Sequence, residues 1–104
     1  MSETIHETLS KLTKIYEEAE LTAFKRCGYD KDWVVANRSR IFVEMERSKN
    51  YNDITFTYLL DGEPMFELRR MLNVDYDTGD YSGCIQCFIY KDKLKDGDTL
   101  ETEY

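Results

Sequence analysis

Apolar and polar residues alternate with a period of two from Ile41 to Tyr90, after an N-terminal segment where they recur every three or four positions. In that first segment Ile5, Leu9, Leu12, Tyr16, Ala19 and Ala23 share one stripe, with Ile15 beside it. This is the period of a helix buried along one side. Thr4 and Glu7 have the spacing of a capping box, in which each side chain takes up the other's exposed backbone N–H. Gly28 suits the left-handed position just past a helix end, and Lys25 and Arg26 complement the dipole in the last turn. The spacing predicts a helix from about Thr4 to Cys27. Its length would be roughly 33 Å, enough to cross four strands.

A polar turn, Tyr29-Asp30-Lys31-Asp32, leads into Trp33-Val34-Val35. Ile41, Val43 and Met45 then point one way, and Phe42, Glu44 and Glu46 the other. Ser48 to Asp53 reads as a loop. Ile54, Phe56, Tyr58 and Leu60 share a face opposite Thr55, Thr57 and Leu59, and Asp61-Gly62 is a hairpin signal. Met65 to Asn73 admits two readings. As a strand it sets Phe66, Leu68 and Leu72 on one side, with Arg70 intruding, and Glu67, Arg69 and Met71 on the other. As a helix it has Pro64 in an allowed first-turn position and good helix formers throughout. The strand is preferred, because so short a connection as Asp-Gly demands an antiparallel neighbour. Turn residues run from Asp75 to Gly83, and Ile85, Cys87 and Ile89 begin another strand. The charged tail from Lys91 to Tyr104 adds a short edge strand over Thr99 to Thr102, or frays.

The expected fold is α+β and two-layered: one long N-terminal helix on a four- or five-stranded antiparallel meander, within a single domain spanning 1–104. A chain of 104 residues with a 41% hydrophobic fraction can build one modest core.

Charge narrows the partners. Fourteen bases face twenty-one acids, a net charge of −7. Residues 61–104 hold five bases and eleven acids, whereas 31–60 hold five and four. Such a surface repels nucleic acid and anionic membranes and favours a basic protein partner. No apolar run approaches the roughly 18 residues of a membrane span. The polar start Met1-Ser2-Glu3-Thr4-Ile5-His6 is unlike a signal peptide, and three cysteines do not make a secreted disulfide scaffold. A cytosolic location is expected.

Candidate chemistry is sparse. Cys84-Ile85-Gln86-Cys87, with Cys27 and His6, supplies four zinc-ligating side chains. Residues three apart in a strand face opposite ways, however, and His6 and Cys27 stand about 30 Å apart along the helix. Cys87 is expected in the core. Asp75-x-Asp77-x-Gly79-Asp80 begins like a calcium loop, but Asp80 and Gln86 occupy the positions that need Gly and Glu. A hairpin turn is the better reading. His6 has no nucleophile pattern around it, and no glycine loop cradles a phosphate. Glu44, Glu46 and Glu67 could meet as an acid–base pair, though exposed sheet carboxylates are ordinarily just solvated. Neither a metal, a cofactor nor a catalytic residue is expected.

The sheet face away from the helix is more informative. By alternation it carries Phe42, Glu44, Glu46, Thr55, Thr57, Leu59, Met65, Glu67, Arg69, Met71, Gln86, Phe88 and Tyr90. Aromatics and methionines among carboxylates suit an interface with a positively charged partner. The expected partner-binding residues are Phe42, Glu44, Glu46, Glu67, Phe88 and Tyr90, with Asp75, Asp77 and Asp80 at one hairpin end. The same face could instead form a homodimer interface or lie solvated.

In layout the chain is similar to cystatin-like and related α+β folds. In size, charge and layout it resembles the small acidic inhibitors of bacteria and phages: toxin-immunity proteins and antagonists of host nucleases. The resemblance implies a protein-binding inhibitor that occludes a basic toxin or nuclease. The alternative is a small-molecule-binding or enzymatic domain with a pocket between helix and sheet. A cleft with convergent polar groups would favour the alternative. A filled core beneath a flat acidic and aromatic face would favour the inhibitor.

Overall fold

The computed structural model describes residues 5–49, 52–75, 77–93 and 101–103. A long helix, α1 (Ile5–Arg26), precedes a short one, α2 (Lys31–Ala36), and a 3-10 turn over Arg38–Arg40. Five strands follow among the described residues: β1 (Ile41–Arg47), β2 (Asp53–Leu60), β3 (Glu63–Asp75), β4 (Asp80–Ile89) and β5 (Glu101–Glu103). They form one antiparallel sheet in sequence order, with α1 packed on one face. The fold is thus the α+β two-layer arrangement that the periodicity predicts.

The stripe of α1 is rotated slightly from the expected one. Thr8, Leu12, Ala19, Ala23 and Phe24 are buried, whereas Ile5 is 37% exposed. Thr8 can occupy a buried position because its hydroxyl donates to the Tyr81 carbonyl oxygen at 3.3 Å. Ala19 and Ala23 lack bulk and let the helix approach the sheet, while Phe24 stands edge-on to Tyr58 and Phe66. Thr4, and with it the capping box, lies outside the described residues. Asp30 caps α2 by accepting from the Trp33 N–H at 2.8 Å, so Trp33-Val34-Val35 is helical.

Met65 to Asn73 is strand. Asp61 and Gly62 both have positive φ, 52° and 86°, the two-residue turn that matches the twist of a hairpin. Beyond it lies a correction. Met65, expected on the outer face, is 2% exposed and belongs to the core. Tyr58 pairs with Phe66 but Leu59 pairs with Pro64, so Met65 is the extra residue of a β-bulge. The bulge resets alternation, which is why neighbouring Met65 and Phe66 are both buried. β4 also starts five residues before the expected Ile85, and β5 covers Glu101–Glu103, while Thr99 and Leu100 of the expected edge strand lie outside the described residues.

Although long enough to cross four strands, α1 lies mainly along β4 and β3. β1 is left uncovered: after Ile41 all its residues are exposed, on both faces. Arg40 pins its start, with Nε and Nη2 donating to the two Asp61 carboxylate oxygens at 3.1 and 2.5 Å, and its guanidinium lies 5.7 Å from the Trp33 ring centre.

Candidate functional site

Antiparallel pairing gathers part of the expected partner-binding set. Glu44 pairs with Thr57, Thr57 with Glu67, Glu67 with Phe88 and Phe88 with Glu101, forming one row across the sheet. Glu46, Thr55, Arg69, Gln86 and Glu103 form the next row. Glu44 and Glu46 are exposed, while Glu67, Phe88 and Tyr90 are half-buried. Tyr90 ties these together: its hydroxyl donates to Glu67 Oε2 at 3.3 Å and its ring meets Phe88 edge-on at 5.5 Å. Burial and the Glu67 carboxylate both raise the Tyr90 phenol above its ordinary range.

Asp75, Asp77 and Asp80 do not join this surface. They sit at the β3–β4 hairpin, eight residues along β3 from Glu67, roughly 26 Å at the rise of a strand. There Asp75 Oδ1 accepts from the Asp77 and Thr78 N–H groups, and Gly79 takes φ 75°. The acids build a turn. Cys84 pairs with Met71 on the outer face and Cys87 with buried Leu68 on the inner one, so the two thiols diverge. Burial pushes the Cys87 thiol up to about 11.

Among the described strands, exposed large apolar residues fall only on the uncovered one. Phe42 is 63% exposed on the outer face, and Met45 and Val43 are 53% and 39% exposed on the inner. β1 is also an edge. Asp61 N–H donates to the Arg40 carbonyl oxygen and Ser48 N–H to that of Asp53, so even-numbered residues share the hydrogen bonds with β2. Because antiparallel bonding alternates, Ile41, Val43, Met45 and Arg47 turn their backbone N–H and C=O groups towards the open side. No described strand pairs there.

Beside β1, α1 and the sheet border an open cleft of about 470 Å³. Leu12, Thr13, Tyr16, Glu17 and Glu20 line it from the helix, and Val43, Phe56, Tyr58 and Arg70 from the sheet. Tyr58 donates its hydroxyl proton to Glu20 Oε2, and the Tyr16 and Tyr58 hydroxyls are 2.6 Å apart. With the Tyr58 proton committed, Tyr16 is the donor to Tyr58. Arg38 Nη2 completes the chain at 3.0 Å from Glu20 Oε1. Arg70 stands between Ile54 and Ile85 on the inner face, and its buried Nε has no partner among the described residues. In the sequence Arg70 stands out only as an interruption of an apolar row. A second cavity, of about 420 Å³, is bordered by the pairs Arg40–Asp61 and Lys93–Glu63, whose charges satisfy each other.

Burial raises the Tyr16 and Tyr58 phenols far above their ordinary range, the bond to Glu20 adding to the shift of Tyr58. The unfolded chain releases these protons, and that of Cys87, near pH 9 to 10, whereas the folded chain keeps them. The native state then binds more protons, so stability is full below about pH 8 and falls as pH rises to about 11. Urea midpoints measured across that range should decline, and less steeply in Tyr58→Phe, which has one ionisable phenol fewer. A midpoint independent of pH up to about 10.5 would contradict this account of the buried tyrosines.

No helix among the described residues is long and apolar enough to cross a membrane. Comparison with known proteins gives no match to a family model, to a curated protein or to a solved structure.

Proposed function

We propose that the chain is a small protein-binding inhibitor of the immunity type, acting in the cytosol, which captures a basic toxin or nuclease through β1 and the adjoining outer face. The observation that carries this reading is the state of β1, an edge on which no described strand pairs and whose residues after Ile41 are exposed on both faces. A partner strand added there would satisfy the outward backbone groups of Val43 and Met45, the recognition mode in which main-chain bonds supply affinity and side chains supply choice. Glu44 and Glu46 on the outer face favour lysine or arginine opposite them, and Val43 and Met45 favour apolar residues on the other side. Self-pairing is disfavoured in the registers centred on Glu44 or Met45, because glutamates of the two copies would then oppose each other.

The test is capture of a partner from the native host, followed by binding measurements on Met45→Pro. Met45 directs its N–H to the open side, so proline removes a docking donor and no β1–β2 bond. Loss of binding with the fold retained is the expected result. Undiminished binding by Met45→Pro, or assembly with a second copy alone, would overturn the reading.

A second reading, a binding pocket for a small molecule, is supported by one observation: the polar groups of Tyr16, Glu20, Tyr58 and Arg70 converge on the cleft.

A further inference from the structure

The cleft contains a cation, Arg70, that enters no ion pair among the described residues. Arg70 Nε is buried without an acceptor among the described residues, and an unsatisfied buried donor is costly, more so on a charged group. Pairing with a helix carboxylate would be the simplest remedy. Glu20, however, is already held by Tyr58 and Arg38, and Arg70 enters no ion pair among the described residues. The surrounding surface is apolar and aromatic, from Leu12, Val43, Phe56 and the Tyr16 ring, which stands edge-on to Phe56 at 5.2 Å.

We propose that this cleft binds a small monocarboxylate with an aromatic or aliphatic body. The carboxylate accepts from the Arg70 guanidinium, and the body lies against Val43, Phe56 and Tyr16. The inference rests on the small-molecule reading of the cleft and is independent of docking at the β1 edge. A volume of about 470 Å³ falls within the ordinary range of small-ligand pockets. A planar guanidinium matches a carboxylate, and its single positive charge is balanced by one negative charge. Exposed Glu17 also borders the cleft; its charge disfavours a second carboxylate or a phosphate dianion.

The probe is 4-phenylbutyrate, compared with its uncharged amide and with inorganic phosphate. Each is titrated into the full chain and followed by NMR, including the Arg70 Nε–H resonance. The acid should saturate, shifting signals of Tyr16, Val43, Phe56 and Arg70, with the amide about tenfold weaker or more, as expected for a hydrogen bond to a charged group. Arg70→Met should abolish the difference between acid and amide, and Val35→Ala, on distant α2, should preserve it. Should Arg70→Met fail to fold, Arg70→Lys retains the charge without the planar fork and is expected to weaken the acid selectively. Equal affinity for acid and amide, shifts confined to other surfaces, phosphate binding as tightly as the acid, or no saturation by about 10 mM would each overturn the proposal. Failure here would leave the β1 edge, tested by Met45→Pro, unaffected.

Discussion

Leu12→Ala is expected to lower the free energy of unfolding by about 2–5 kcal/mol, in the upper half of that range. Leu12 is 2% exposed, and its partner on β4 is a residue without a side chain. A Cβ added to Gly83 would lie 2.8 Å from Leu12 Cδ1 and 2.5 Å from the Met71 carbonyl oxygen. The leucine therefore fills space that the sheet leaves open at Gly83. Truncation creates a void with no side chain at Gly83 to collapse into it, and the cost of a cavity rises with the volume that fails to close. Refilling from the other side should not work. In Leu12→Ala/Gly83→Ala the contact with the leucine is gone, but the contact with the Met71 backbone persists, so the double variant should be no more stable than Leu12→Ala. Urea titration with matched m-values measures both. A loss below about 1 kcal/mol for Leu12→Ala would mean that α1 does not rest on β4 here.

The helix and strands were legible because each carries its own period. Asp61-Gly62 also announced the hairpin, which decided between strand and helix for the residues after Pro64. Three features depended on tertiary placement instead. The β-bulge at Met65 shifts the facing of one residue, and alternation counted through Pro64 cannot see it. The axial rotation of α1 exchanges Ile5 for Thr8, a choice made by a hydrogen bond to distant Tyr81. The third is where α1 lies across the sheet. Period defines the buried side of a helix, not which strands it covers, so Val43 and Met45, on the face towards the helix, are exposed. The candidate cleft exists because of that offset. Its signal in the sequence was Arg70 within an apolar row, but Tyr16 and Tyr58 looked like ordinary core aromatics until their hydroxyls met over Glu20. Alternation did identify the row Glu44, Glu67 and Phe88, while the carboxylates of the β3–β4 turn belong elsewhere.

For the proposed basic partner, charge and apolar contact should separate in the kinetics. Glu44 and Glu46 are exposed on an edge where no described strand pairs, and they act on an approaching partner through solvent. Their effect should fall on the association rate and weaken with salt, because the Debye length shrinks from about 10 Å at 0.1 M to about 3 Å at 1 M. Glu44→Lys/Glu46→Lys should slow association by about tenfold or more at low salt and little at high salt. Phe42, at 63% exposure, has the most to bury. Phe42→Ala should leave association nearly unchanged and speed dissociation by roughly ten- to a hundredfold, the usual consequence of removing an aromatic anchor. Phe88 is half-buried already, so Phe88→Ala should have the smaller effect. Asp75, Asp77 and Asp80 lie roughly 20 Å along β3 from the row of Glu46 and about 26 Å from that of Glu44, about two Debye lengths or more, and reversing them should change association by less than about twofold at 0.1 M salt. Surface plasmon resonance on the captured partner at two salt concentrations resolves all four variants. An association rate that ignores salt, or a turn variant as slow as the β1 variant, would place the partner on some other face of the protein.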